Sequence, residues 1–318
     1  MGSIATIVIP VFCLIALGFA AVRSGYLKPA VGEGVTDFVI KFAIPILLIK
    51  SLATAEFSGD LPWTMVAVYF GAILAAWIPA SILIHLVWKR DMRASSIAGV
   101  AASFSNLVLL GIPLIQLAYG QPGLQVLFVL LSVHLIFMMT ASSFAMEWAV
   151  RADGMDATAM RPLTVMKSLA HNLAVNPIIV GIVTGVVIRV SGLPLPGFVL
   201  EVLDLVSLCT GPLALIALGM GLVKYGFRGN LPPAAALTFL SLIVMPATVV
   251  ALQQVVQMPV LWFQVALLGA SCPTGVNAYL IASYFRTGEG LATNTIVMAL
   301  MGSIITIPFW LWVGAQAV

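Results

Sequence analysis

The chain has 318 residues, of which 62% are hydrophobic and 8% are charged, and its mean hydropathy is +1.14. An average soluble domain carries about 25% charged residues, so 14 Lys and Arg with 11 Asp and Glu cannot cover a soluble fold of this size. The net charge of +3 is also too small for a surface that binds nucleic acid. The composition therefore excludes soluble, disordered and nucleic-acid-binding proteins, and it predicts a polytopic helical membrane protein.

Ten stretches of the chain are long and apolar enough to be transmembrane helices, which need about 20 residues each. Their hydrophobicity is continuous rather than alternating, which excludes a transmembrane β-barrel. We therefore predict an all-α polytopic membrane protein with ten transmembrane helices. The predicted spans are residues 4–22, 34–54, 63–88, 97–118, 124–147, 169–189, 198–223, 232–254, 259–283 and 291–316.

Lys and Arg are concentrated in every second connection between these spans. Eleven of the 14 lie in the first, third, fifth, seventh and ninth connections, whereas the even connections and both termini hold only Arg189. Since cytoplasmic connections are enriched in Lys and Arg, we predict a multi-pass protein of the inner (plasma) membrane with both termini periplasmic. The longest polar connection, residues 151–168, is predicted to be a cytoplasmic linker between residues 1–150 and 169–318.

The two halves of the chain resemble each other when one half is shifted along the other. Residues 10–48 align with residues 177–215 without a gap, and identical pairs include Gly18/Gly185, Asp37/Asp204 and Pro45/Pro212. Five helices per half is an odd number, so the second half enters the membrane from the opposite side. Inverted repeats of this kind are typical of secondary transporters, in which one part of the molecule moves against the other.

The fourth and ninth spans combine small and polar residues with proline in the middle of the membrane. The fourth span reads SFSNLVLLGIP over residues 103–113, and the ninth reads GASCPTGVN over residues 269–277. The repeat alignment places Asn106 opposite Pro273. Because proline removes a backbone donor and clashes with the preceding turn, both helices are expected to break at the same depth. The partial positive charge at each new helix start can then bind an anion.

A single proline in a membrane helix is often only a kink. Two broken spans at matching repeat positions, each with hydroxyl and amide side chains, favour a binding site. The predicted substrate-binding residues are Ser105, Asn106, Gly111, Pro113, Pro273, Thr274 and Asn277.

Four titratable residues within the spans are candidates for ion coupling or charge recognition. Lys41 can attract a carboxylate or exchange protons, but its spacing of four residues from Asp37 favours an ion pair. Asp37 and Asp204 are repeat mates, that is, residues at equivalent positions of the two aligned halves. Structural roles at helix ends and roles in ion coupling both stay open for them. His134 can relay protons because its reference pKa is near neutral, although an interhelical hydrogen bond is the favoured interpretation.

Catalytic and metal-binding motifs are absent from the sequence. It contains no HExxH, GxSxG or Walker A motif. Its three cysteines lie far apart with no CxxC pair, so neither a zinc site nor a disulfide framework is indicated. We therefore expect no enzyme activity and no cofactor, and coupling to H⁺ or Na⁺ stays open.

Several short motifs, spread in order across the chain, carry a resemblance to the auxin efflux carrier family. The first is GVTDFVIKFAIP over residues 34–45, and Ser105-Asn106 with LGIPL over residues 110–114 follow in the fourth span. The second half contributes Asn176-Pro177, ALGMG over residues 217–221, and Pro273-Thr274-Gly275 with Asn277.

The resemblance implies a fold of ten helices in two inverted repeats. Spans 1, 2, 6 and 7 would form a scaffold that is often dimeric, and spans 3–5 and 8–10 a moving transport unit. The fourth and ninth spans would cross at their broken segments and hold a carboxylate, with Asn106, Pro113, Pro273 and Asn277 on the crossover motifs. Plant members of the family export auxin, and bacterial relatives are linked to malonate and other small organic acids.

Two hypotheses about function follow. The first is a secondary transporter, in the efflux direction, for an auxin-like or dicarboxylic acid, which works by elevator-type alternating access as a homodimer. The second is a membrane receptor or sensor that binds a small carboxylate without moving it. The two hypotheses share a binding site and differ in whether the substrate crosses the membrane.

Overall fold

The computed structural model describes residues 4–55, 62–154, 171, 173–192, 194–225 and 231–316, and most of them are helical. Within these ranges the one β interaction is an isolated bridge between Ser105 and Thr274. Six of the described helices are long and apolar enough to cross a membrane, and Pro177–Ser191 and Val260–Ser271 are shorter apolar helices. The predicted all-α, multi-pass class is therefore confirmed.

The described part of the first half contains six α-helices and two π-helical turns. The π turn Val39–Ala43 joins α2 to α3, and the π turn Leu107–Gly111 leads into α6. The backbone of α6 is interrupted at Gly120, whose φ of 63° and ψ of −154° are not helical. The α-helices are α1 (Ile4–Arg23), α2 (Pro29–Phe38), α3 (Ile44–Ala53), α4 (Trp63–Leu86), α5 (Met92–Ser103) and α6 (Ile112–Ala152).

The second half contains seven further described α-helices. Another π turn, Leu240–Val244, joins α9 to α10. Both linking π turns stand directly before a helix with proline near its start, Pro45 and Pro246. Proline has no N–H for the regular α-helical hydrogen bond. The helix therefore widens locally into a π turn before each of these prolines. The helices are α7 (Pro177–Ser191), α8 (Gly197–Leu222), α9 (Leu231–Phe239), α10 (Met245–Val256), α11 (Val260–Ser271), α12 (Asn277–Tyr284) and α13 (Glu289–Ala315).

The chain divides into two compact units that interleave along the sequence. The first unit comprises Met1–Pro62, Val108–Ser132 and His171–Lys224, and the second comprises Trp63–Leu107, Val133–Ala170 and Tyr225–Val318. Helices α1, α2, α3, α7 and α8 therefore belong to the first unit. Helices α4, α5 and α9–α13 belong to the second unit, and α6 contributes to both units.

In the first unit, α1 packs on α8 and α7 packs on α3 through glycines. A Cβ atom on Gly18 would lie 2.2 Å from the carbonyl oxygen of Ile216, and one on Gly185 would lie 3.0 Å from that of Ile49. Small residues let membrane helices approach closely where a side chain would hold them apart. Gly18 and Gly185 are repeat mates, and Ile49 and Ile216 stand at the same separation, so these two close contacts are equivalent in the repeat.

Two side-chain hydrogen bonds tie α13 to other helices of the second unit. The indole N–H of Trp310 donates to the carbonyl of Leu242 in the π turn before α10, at 2.8 Å. The amide of Gln264 on α11 donates to the carbonyl of Gly314, at 3.1 Å. Each bond gives a donor to a backbone oxygen of a buried residue, where water is absent.

The start of α5 is held by the residue that follows α6. The carboxylate of Asp153 accepts hydrogen bonds from the backbone N–H groups of Met92 and Arg93, at 2.9 and 3.1 Å, and from Arg93 Nε at 3.2 Å. Asp91 caps the same helix by accepting from the N–H of Ala94 at 2.8 Å. Burial opposes the charge of Asp153, but these hydrogen bonds outweigh burial and hold its pKa below the ordinary value.

Candidate functional site

The fourth and ninth predicted spans are both interrupted, at the segments rich in small and polar residues. In the fourth span, α5 ends at Ser103 and the backbone leaves the helix before the π turn that begins at Leu107. In the ninth span, α11 ends at Ser271 and α12 begins at Asn277. Both interruptions, residues 104–106 and 272–276, belong to the second unit.

The two interruptions are hydrogen-bonded to each other, and we call residues 104–106 with 273–275 the junction. The backbone N–H of Asn106 donates to the carbonyl of Pro273 at 2.8 Å, and the N–H of Gly275 donates to the carbonyl of Phe104 at 2.8 Å. Ser105 and Thr274 lie opposite each other in antiparallel register. Breaking a helix inside a bilayer leaves backbone groups without partners, and the junction supplies partners for several of them.

The junction side chains are buried and closely packed. Thr274 donates from Oγ1 to the carbonyl of Ala101 at 2.7 Å, which anchors the junction to the last turn of α5. A Cβ atom on Gly275 would lie 3.3 Å from the carbonyl oxygen of Phe104, so glycine permits the short backbone contact there. Ser105 and Asn106 are buried as well.

Helix ends of both polarities meet at the junction. The C-termini of α5 and α11, with their free carbonyl groups, lie at the junction, and α12 starts beside it with Asn277 in its first turn. The residue before α12, Val276, provides no side-chain cap for the first N–H groups of that helix. Uncapped N–H groups at a helix start attract negative charge, so the start of α12 beside the junction is electrostatically suited to an anion.

Five of the seven predicted substrate-binding residues lie in or directly beside the junction: Ser105, Asn106, Pro273, Thr274 and Asn277. The other two, Gly111 and Pro113, belong to the first unit. Pro113 stands beside α8 there, since a Cβ atom on Gly211 would lie 3.4 Å from the Cβ of Pro113. The structure thus divides the predicted residues between the two units.

The charged candidates all lie in the first unit and form ion pairs. Lys41 Nζ donates to Asp37 Oδ2 at 2.7 Å, as the spacing of four residues predicts, and both side chains are largely exposed. Asp204 pairs with Lys50 on α3. Lys50 is not among the predicted residues, although it is a second lysine inside the apolar stretch 34–54.

His134 lies on α6 in the second unit, and the hydrogen bond predicted for it is wrong. The residue is 1% exposed, and neither ring nitrogen has a hydrogen-bond partner among the described residues. Its ring instead meets the aromatic rings of Tyr69 and Phe104, with centroids 5.7 and 5.1 Å away in edge-on geometry. The imidazole is therefore enclosed by aromatic groups next to the junction.

The described part of the chain holds no cluster of metal-binding side chains and no disulfide. No group of three or more His, Cys, Asp or Glu side chains there is placed to hold a metal ion. Cys13, Cys209 and Cys272 are free thiols.

Comparison with known proteins places these features in a family. The family model described as "Membrane transport protein" matches residues 3–311. The chain belongs to this family. The match confirms the resemblance to the auxin efflux carriers that the sequence motifs indicate. Because the family consists of membrane transporters, the transporter interpretation is favoured over an enzyme.

Individual relatives of the family cover nearly the whole chain. An "Uncharacterized transporter" of Methanothermobacter thermautotrophicus is 25% identical over 98% of both chains. The "Putative malonate transporter" of Rhizobium meliloti is 25% identical over 96% of this chain and 94% of its own. The "Uncharacterized transporter YfdV" of Escherichia coli K12 is 20% identical over 96% of both chains. Membrane transport is thus the activity that these names share.

Proposed function

We propose that this protein is a secondary transporter for a small organic anion and that the junction binds the substrate carboxylate. The observation that carries the proposal is the pair of backbone hydrogen bonds between Asn106 and Pro273 and between Phe104 and Gly275. They join two interrupted membrane helices at one point and gather helix ends and buried polar side chains there. Such paired discontinuous helices form the substrate sites of many secondary transporters.

Contacts between repeat mates support the inverted repeat of two five-helix halves, residues 1–150 and 169–318. A residue that touches its own mate lies on the axis that exchanges the two halves. The first unit has such a contact where Thr210 donates to the carbonyl of Ala43 at 3.4 Å. The second unit has one in the hydrogen bond between Asn106 and Pro273. Both pairs have the separation in sequence at which residues 10–48 align with residues 177–215.

The division into two units supports elevator-type alternating access. In this proposal the first unit, with α1, α2, α3, α7 and α8, is a scaffold that dimerises, and the second unit moves across the membrane with the substrate. The helices fall into these units largely as the family resemblance implies. One segment differs, because Val108–Ser132 clusters with the first unit although the resemblance assigns the fourth and fifth spans to the moving part.

The substrate class that we propose is an auxin-like or dicarboxylic acid. The relative in Rhizobium meliloti carries malonate in its name, and the start of α12 beside the junction has no side-chain cap and adjoins neutral polar side chains, which suits a carboxylate. The resemblance to efflux carriers favours export. The proposal places both termini in the periplasm of the inner membrane, because the basic residues cluster in alternate connections.

Exchange of labelled carboxylates in proteoliposomes tests the proposal. Vesicles loaded with unlabelled malonate, succinate or indole-3-acetate should take up the labelled compound faster than protein-free vesicles for at least one of the three. Asn277→Ala removes a polar group beside the junction. A lost hydrogen bond to a charged group costs about 1.5–3 kcal/mol, so we expect at least about tenfold weaker apparent affinity for the exchanged anion.

Controls separate the alternatives. Ser191→Ala, at the exposed end of α7, should leave exchange unchanged. Saturable carboxylate binding without exchange would favour the receptor or sensor hypothesis. Wild-type kinetics in both Asn106→Ala and Asn277→Ala would refute the junction as the binding site.

A further inference from the structure

His134 is an ionisable side chain buried in the second unit without a hydrogen bond. Both ring nitrogens are sealed from solvent and have no partner among the described residues. Leaving a buried polar group unsatisfied is unfavourable, and a leucine at this position would avoid the cost. Ionisable residues within membrane segments commonly mark pathways for ions or protons. The placement of His134 therefore calls for a functional explanation.

The surroundings connect His134 to the junction. The ring of Phe104 lies 5.1 Å from the imidazole, and the carbonyl of the same residue accepts the N–H of Gly275 across the junction at 2.8 Å. The hydroxyl of Tyr69 is also buried and meets no hydrogen-bond partner of good geometry among the described residues, although the side chain of Ser105 lies near it. We call His134, Tyr69, Phe104 and Ser105 the histidine pocket.

We propose that His134 binds a proton together with the substrate carboxylate, so that the carrier is a proton–anion symporter. Under an inward proton gradient such a carrier takes the anion up, so this proposal gives the opposite direction to the export that the family resemblance favours. This inference rests on the proposed function. An imidazolium enclosed by aromatic groups needs a negative charge nearby, and an anion at the adjacent junction supplies one. By thermodynamic linkage, each ligand then strengthens the binding of the other by the same factor.

Nearby titratable groups are consistent with this role. Tyr69 on α4 faces the imidazole, and Cys272 after α11 interacts with Tyr69. Phe104, which follows α5, is apolar. None of the ion pairs in the described ranges includes a residue of the histidine pocket. A substrate carboxylate is therefore the counter-charge that the proposal requires.

The proton balance of the cycle is simple. A proton from one aqueous side binds to the lone pair of the unprotonated ring nitrogen when the anion occupies the junction. Both are released on the other side, which returns the imidazole to its neutral form. No electron transfer or covalent intermediate is involved.

Two transport assays on the same vesicles test the proposal. The first is counterflow of labelled malonate, or of the panel acid that exchanges, at equal pH on both sides. The second is net uptake into vesicles that are more alkaline inside, with the membrane potential clamped at zero. An anion that crosses with one proton can accumulate up to about tenfold per unit of pH difference, because one pH unit corresponds to about 1.36 kcal/mol.

We expect His134→Gln to abolish this accumulation, to the level of protein-free vesicles. Its apparent affinity for the anion should fall, because the proton that strengthens anion binding is lost, while counterflow at a saturating anion concentration stays above that of protein-free vesicles. His85→Gln is the matched control, because His85 is an exposed histidine at the end of α4 in the same unit. It should accumulate the anion as the wild type does. Full accumulation by the His134→Gln carrier would overturn the proton site and leave the proposed function intact. Absence of counterflow by the wild type for every acid would overturn the proposed function and the proton site together.

A measurement on the unmodified chain covers the case in which His134→Gln does not fold. The sequence has only three histidines, so His85→Gln and His171→Gln assign the ¹⁵N imidazole resonances by elimination. Adding malonate, or the acid that exchanges, should shift the ring nitrogens of His134 towards their protonated values at constant pH. Unchanged resonances at a saturating concentration of that acid would refute co-binding.

Discussion

The contact between α1 and α8 gives a graded test of the first unit. Gly18 lies where a Cβ atom would stand 2.2 Å from the carbonyl oxygen of Ile216, far inside any real contact. That oxygen belongs to the backbone, so it cannot rotate away, and the two helices must separate. Overpacking of this kind typically costs about 1–3 kcal/mol, and we expect Gly18→Ala to lower the free energy of unfolding by that amount.

Alanine substitutions at two other glycines give reference values for the loss of stability expected at Gly18. Gly185 is the repeat mate of Gly18, but its added Cβ would stand 3.0 Å from the backbone oxygen of Ile49 and 2.9 Å from the side chain of Leu52. We therefore expect Gly185→Ala to be destabilising by less than Gly18→Ala. Gly34 on α2 has no heavy atom within 4 Å of its added Cβ, so Gly34→Ala should gain up to about 1 kcal/mol from helix propensity.

Thermal unfolding of the three purified variants in one detergent, followed by circular dichroism, measures this order. The melting temperature should fall most for Gly18→Ala, less for Gly185→Ala, and stay equal or rise for Gly34→Ala. A Gly18→Ala protein as stable as Gly34→Ala would show that α1 and α8 do not pack at this distance, and the reasoning from close helix approach would fail.

Two further predictions concern single hydrogen-bonding groups. Asp153→Asn should destabilise the protein at neutral pH, because the depressed pKa of Asp153 means that its ionised form stabilises the fold. That contribution is present above the pKa of about 3.9 that Asp153 has in the unfolded chain, and it is lost as the pH falls through its pKa in the folded protein. The melting temperatures of the wild type and the variant should therefore converge in acid. A difference that stays constant with pH would contradict this. Trp310→Phe removes the indole donor to the carbonyl of Leu242 and should cost about 1–3 kcal/mol in chemical denaturation, since a buried acceptor is left unsatisfied; an unchanged midpoint would contradict it.

The break of the ninth span was predictable because its cause is local, since Pro273 in an apolar stretch cannot complete the helical hydrogen-bond pattern. The break of the fourth span at residues 104–106 contains no proline, and the sequence indicates it only through the alignment of Asn106 with Pro273. The hydrogen bonds that join the interruptions also depend on which backbone groups face each other, and that is decided by the packing of α5 against its neighbours.

Some contacts of the charged and titratable residues follow from local spacing, whereas others depend on tertiary packing. The ion pair of Lys41 with Asp37 follows from a spacing of four residues on one helix. The pair of Lys50 with Asp204 joins helices from different halves of the chain, and no local pattern indicates it. His134 was expected to have a hydrogen-bond partner, but its neighbours are aromatic rings supplied by α4 and by the segment after α5.

The sequence by itself determined the membrane class, the likeness between the two halves and the break at Pro273. These properties depend on composition, on hydrophobic length and on residues whose backbone chemistry is the same in any fold. Only the tertiary structure decided which backbone groups of the two interruptions bond to each other, that Val108–Ser132 clusters with the first unit, and that His134 has no hydrogen-bond partner among the described residues beside the junction. Each of these depends on contacts between residues distant in sequence, where the geometry of helix packing selects one partner among many apolar alternatives.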